Sequence, residues 1–435
     1  MCISHLLNIL IAACIIFAFY ISGYIPYVLS AKKQLLEQSN FNKACETLGF
    51  DEQASQALLE IFYLSGYFEH DKFLHDIKKA NIKNADRVFN QEFENLKKTH
   101  AVQPNQKDSK IDKFRADILN KVFFKNSDVT QRELLNIILY QGQNAFGRKI
   151  GEERDRISGS TILGVQEKHY LEAAKKLNLI NRIEPSLNEY DEAWIAGARR
   201  SIMLLRIIDF EYVKDKYKIT IKGKTYILAG ERKLTPSLDY INQELYDLTI
   251  KNRYKNLDLI DLKKYTISNI EVGNKQLIAL SRKYNKKLTE TLAAKDTLDF
   301  LKIKDITILD TKANRGKRPT TSSTVKDAVD NFVEKIDAGE FGSQKKFVIL
   351  LQTNNPYVER QTLVAQREVD KALLERSLST KGYKIEIEGI GASCVQEIKV
   401  INSELGALIA EKWSNVSSGE DSSYLLYQTR DHDED

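Results

Sequence analysis

From Ala193 onward, short unbroken apolar runs alternate with amphipathic helical patterns, and that alternation leaves few architectures open to the second half of the chain. The runs cover residues 194–198, 226–230, 306–309 and 347–351, and each ends in a Gly or a polar loop. A strand such as Phe347-Val348-Ile349-Leu350-Leu351 has no polar face, so it needs cover on both sides, which a parallel sheet receives from its crossover helices. The pattern predicts an α/β fold over residues 191–413: a Rossmann-like, mostly parallel sheet with helices on both faces.

Finer features agree with this layout. Val325, Ala328, Val329, Phe332, Val333 and Ile336 fall on one stripe at helical spacing. Thr324-Val325-Lys326-Asp327 resembles a capping box with Asp in place of Glu, which predicts a helix start near Ser323 or Thr324. Residues 383–388 alternate polar and apolar, as an edge strand does.

The first half reads differently. Residues 3–29 hold no Lys, Arg, Asp or Glu, and 6–20 are nearly all apolar, so residues 1–30 are expected to form a transmembrane anchor or signal segment. Lys32 and Lys33 follow it with nothing basic before it, which by the positive-inside rule favours a cytoplasmic body. Residues 31–190 are expected to be mostly α-helical, from repeats such as Ala54-Leu58-Phe62, Phe89-Phe93-Leu96 and Leu134-Ile138-Leu139, with a polar linker at 99–113. Residues 414–435 read as a flexible acidic tail.

Several function classes drop out. The 65 basic and 60 acidic residues nearly cancel, leaving no field suited to coating a nucleic acid. Of the four cysteines, Cys2 and Cys14 lie in the apolar segment, so Cys45 and Cys394 alone cannot make a disulfide framework or zinc spacing, and no metal site is expected. All six histidines fall outside the α/β half, which removes histidine-based catalysis there. P-loop, GxGxxG, GxSxG and HExxH signatures are absent. No cofactor is specified.

What remains is a polar-ligand site. Open α/β sheets bind ligands beyond the carboxyl ends of their strands. The loops there carry Gly197 and Arg199, then Gly230, Glu231 and Arg232, then Asn314-Arg315-Gly316-Lys317-Arg318 leading into five consecutive hydroxyl residues that include Thr321, Ser323 and Thr324. The loop after the last apolar run adds Thr353, Asn354 and Arg360. Guanidinium groups, hydroxyls and helix N-termini together favour an anionic or phosphorylated small molecule. Glu231 and Glu290 are the candidate catalytic carboxylates. Two alternatives stay open: a non-catalytic interaction protein whose helical region binds a partner, and a nucleotide- or S-adenosylmethionine-binding enzyme.

The order of these pieces resembles the SanA/ElyC/YdcF-like family of bacterial envelope proteins, a domain-of-unknown-function family with a Rossmann-like core. The resemblance spans residues 192–388. Ala196-Gly197-Ala198 is similar to the family's first strand end, followed by a helix with an Arg, here Arg206. Ala229-Gly230-Glu231 resembles its Ser-Gly-Gly, Thr289-Glu290-Thr291 its Ser-Glu-Ala, and Ser322-Ser323-Thr324 with Asp327 its Asn-Thr-rich helix start. Thr353 and Arg360 match its Thr-Ser-x-x-His-x-x-Arg turn, with Tyr357 where the family has His. Glu231 replaces a Gly, and the stretch between Leu234 and Thr289 looks like an insertion. The resemblance implies a single-pass protein of the bacterial inner membrane with a periplasmic domain, acting in cell-envelope maintenance and without a settled reaction.

Overall fold

A computed structural model describes residues 40–64, 135, 138–139, 164–251, 260–261, 270–313 and 319–417. The expected anchor (1–30), linker (99–113) and basic loop (314–318) lie outside the described residues. Among the described residues no helix is long and apolar enough to cross a membrane. Two compact units divide the chain: described residues up to Leu177, with those from Lys412 on, form the first, and Asn178–Glu411 belong to the second.

In the first unit, helices α1 (Asn40–Thr47), α2 (Glu52–Leu64) and α3 (Gly164–Lys176) are described. Phe41, Ala44 and Cys45 of α1, Leu58 and Phe62 of α2, and Tyr170 and Ala173 of α3 are buried, as an apolar stripe at three- and four-residue spacing requires. Burial pushes the Cys45 thiol up to about 12, so it behaves as an inert core residue.

The second unit is built on five parallel strands. In chain order its elements are β1 (Glu189–Tyr190), β2 (Glu192–Ala196), α4 (Arg200–Lys216), β3 (Thr220–Ile221), β4 (Thr225–Gly230), α5 (Gln243–Lys251) and β5 (Ile260–Asp261). There follow α6 (Ile270–Tyr284), α7 (Glu290–Leu301), β6 (Ile306–Thr311), α8 (Thr321–Asp337), β7 (Lys346–Asn354), α9 (Val358–Glu375), β8 (Lys384–Ala392), β9 (Cys394–Val395) and α10 (Ile398–Ser417), of which the residues up to Glu411 belong to this unit. The main sheet runs β6-β4-β2-β7-β8, every neighbouring pair parallel.

Side chains alternate across this sheet, and each face has its own helices. Ala193, Ile195, Ile227, Ala229 and Leu350 pack with α4 and α7 in one core. Trp194, Ala196, Tyr226, Leu228, Ile349 and Leu351 pack with α8 and α9 in the other. The stripe predicted for α8, from Val325 to Ile336, is buried in full. Each such aliphatic side chain contributes roughly 1.5–3 kcal/mol on burial. At the amino end of the sheet Lys335 of α8 reaches Glu192 at 2.5 Å, and the Trp194 indole N–H donates to the same carboxylate at 3.0 Å. The alternating run at 383–388 belongs to β8, which is an edge strand.

Some boundaries differ from expectation. Helix α8 starts at Thr321 with Thr320 as N-cap: the Thr320 hydroxyl accepts from the Ser323 N–H, and the Thr320 N–H donates to the Ser323 hydroxyl at 2.8 Å. Ser323 therefore sits inside the first turn, because a hydroxyl can close the box four residues earlier than the Thr324–Asp327 pairing predicted. Helix α10 runs to Ser417, past 413, where the α/β domain was expected to end.

Candidate functional site

From β2 the chain builds outward through β4 to β6, then crosses back to lay β7 and β8 on the other side of β2. The loops leaving β2 and β7 consequently diverge, and an open α/β sheet has its ligand crevice at such a reversal. A cavity of about 580 Å³ lies there. Its wall includes Gly197 and Arg199 after β2, Arg232 after β4, Glu290 at the start of α7, and the opening residues of α8, α9 and α10.

Arg206, buried on α4, ties the two diverging strand ends together. Its guanidinium donates to the carbonyl oxygens of Ala196 and Gly197, each at 2.7 Å, and to Asn354 Oδ1 at 2.8 Å. The Tyr357 ring lies 5.8 Å from the same guanidinium, and the Tyr357 hydroxyl donates to Gln396 at 3.2 Å. Gly197 is where the backbone comes closest to the carboxylates: an added methyl group would overlap the Leu228 carbonyl oxygen and Glu290 Oε1.

Glu290 is the unusual ionisable group. It is 8 % exposed, and burial pushes its carboxyl up to about 7 against the pull of Arg232 and Arg206. Arg232 opposes that burial most but does not cancel it: its two terminal nitrogens go to Asp239 at 2.8 and 3.0 Å while its Nε reaches Glu290 only at 3.4 Å. A buried carboxyl titrating near neutrality is the kind of group that transfers or shares protons.

Two helices meet the cavity with open N-termini. Arg199 is the N-cap of α4 and Tyr357 that of α9, and neither makes a side-chain cap hydrogen bond. Helix N-termini carry a partial positive charge that favours an anion. Arg199 lines the cavity, and no hydrogen bond or ion pair among the described residues engages its guanidinium.

The remaining predicted residues divide into three groups. Thr321 and Thr324 line the cavity, although the Thr324 hydroxyl donates to the Thr321 carbonyl at 3.0 Å and Ser323 is spent on the cap. Arg360 lines it too, with its Nε donating to both oxygens of Glu404 at 2.8 and 3.0 Å, so most of its charge is already matched. Thr353 and Asn354 are fully buried behind the wall, Thr353 donating to Gln361 and Asn354 accepting from Arg206. Arg315 and Arg318, with Lys317, lie outside the described residues.

Gly230 and Glu231 take a different part from the ligand-binding one expected of them. Pro319 packs on Gly230 so closely that an added Cβ would stand 2.7 Å from its ring. Glu231 accepts the Ala313 N–H at 3.1 Å and pairs with Lys312 at 3.3 Å, which together hold its carboxyl below the usual range. These two residues thus fix both flanks of the basic loop, and the tuned carboxylate of the cavity is Glu290.

Sequence reasoning missed Asp239 and Glu404, which neutralise Arg232 and Arg360. Neither belongs to a motif; only the pairing across folded elements reveals them. Among the described residues no group of three His, Cys, Asp or Glu is placed to hold a metal ion. No protein-family model matches this sequence, and no curated protein matches it.

Proposed function

We propose that this protein binds an anionic small molecule, phosphorylated or carboxylated, in the cavity between the ends of β2 and β7. One observation carries the reading: the N-termini of α4 and α9, neither with a side-chain cap, and the Arg199 guanidinium, which no described residue engages, border the same cavity. Charge is otherwise nearly balanced there, since Arg232 and Arg360 already face Asp239 and Glu404. Among the described residues Arg199 is thus a cation left to a ligand. The uncharged segment at residues 3–29 and the resemblance to the SanA/ElyC/YdcF-like proteins support a second part of the proposal, a membrane-anchored protein of the bacterial envelope.

Titration calorimetry with inorganic phosphate tests the first part. Arg199→Ala should weaken binding by about ten- to a hundredfold, the worth of one charge-assisted hydrogen bond, without lowering the melting temperature. Undiminished affinity in that variant would overturn the proposal.

A further inference from the structure

The second carboxylate around Arg232 bears on which anion the cavity accepts. Asp239 is fully satisfied: it takes both terminal nitrogens of Arg232 and the Thr235 N–H at 2.8 Å, with its side chain wholly buried. Among the described residues the Glu290 side chain has only the distant Arg232 Nε, at 3.4 Å, at the weak end of hydrogen-bond range. Arg206 from α4 also acts on it electrostatically, and Arg199 lines the same cavity. Farther round the wall, Arg360 and Arg367 of α9 are matched by Glu404 and Glu411 of α10.

A carboxylate held in this way repels an anion that presents only lone pairs, and the low dielectric of a buried wall strengthens the repulsion. Toward an oxyanion that carries a hydroxyl hydrogen the same carboxylate is an acceptor, in the short and strong O–H···O⁻ class. Arg199 and the helix N-termini supply donors for the ligand's other oxygens.

Building on the anion reading above, we propose that Glu290 makes the cavity selective for a protonated oxyanion, hydrogen phosphate or the acid form of a phosphate ester, over a fully ionised one such as sulfate. The ligand O–H donates to Glu290 and one proton is shared between them. Burial of Glu290, which lifts its carboxyl to about 7, places the two proton affinities close together. Residues 178–411 contain no His, so no other side chain of the unit ordinarily changes charge in the same range.

Calorimetry on the full chain with sodium phosphate and sodium sulfate, at about pH 8 and about pH 5.5, tests this. At the higher pH the wild type should bind phosphate at least about tenfold more tightly than sulfate. At the lower pH the gap should close, because Glu290 then carries its own proton and donates to sulfate. Glu290→Gln, which both donates and accepts, should bind the two anions alike at either pH. Equal binding by the wild type at the higher pH, or a phosphate preference that survives in Glu290→Gln, overturns the selectivity while leaving the anion site standing. Failure of both anions to bind at either pH overturns both. The wild-type pH comparison needs no variant, so the selectivity can be refuted even if Glu290→Gln folds poorly.

Discussion

At the scale of single residues, the proton on Glu290 should be visible in stability as well as in binding. Its folded carboxyl sits near 7, above the ordinary 4.5, so the folded state binds the proton more tightly than the unfolded chain. The resulting stabilisation is complete below about pH 4.5 and is lost as the pH rises through about 7. Glu290→Gln lacks this titration and keeps a polar group toward Arg232. Urea midpoints taken at successive pH values should therefore show the wild type losing ground to the variant as the pH rises, by on the order of 3 kcal/mol at most. A pH-independent difference between the two would mean that Glu290 titrates in the folded state as it does in the unfolded chain. Gly197 gives a second expectation: Gly197→Ala forces a methyl group against the Leu228 carbonyl and Glu290, and should lower the melting temperature by several degrees.

At the scale of elements, the joint between α8 and β2 carries a charge pair whose loss is predictable. Lys335 is mostly buried and meets Glu192, which is 2 % exposed, so Lys335→Ala leaves a buried carboxylate without its cation and should cost about 3–5 kcal/mol by chemical denaturation. A cost near zero would show that Glu192 is protonated whether or not the lysine is present. Strands and helices of this kind were legible from sequence because burial on both faces leaves a one-dimensional trace: the run 347–351 could only be an inner strand, and the α8 stripe only a helix. The start of α8 was less legible, since Thr320, Ser323 and Thr324 are chemically near-equivalent as caps and the choice depends on where Pro319 is held. The site was legible in part. Loops at strand ends exposed Arg199, Arg232 and Arg360, but the partners that cancel two of these charges come from a turn and from a helix 44 residues away in sequence, which no local pattern reveals.

At the scale of the whole α/β unit, the sheet order sets where motion is least welcome. Strands β2, β4 and β7 are each paired on two sides, whereas β6 and β8 are edges. Hydrogen exchange should be slowest at Trp194, Ile227 and Leu350 and faster along β8; comparable exchange across all five strands would contradict a single cooperative sheet. Ala313 and Pro319, on either side of residues 314–318, are held by adjacent residues at the end of β4, one through a carboxylate and one through the absence of a side chain. A bulkier residue at 230 would swing the Thr320–Thr321 turn away from the crevice, so ligand affinity should fall after a change at a position that does not line the cavity.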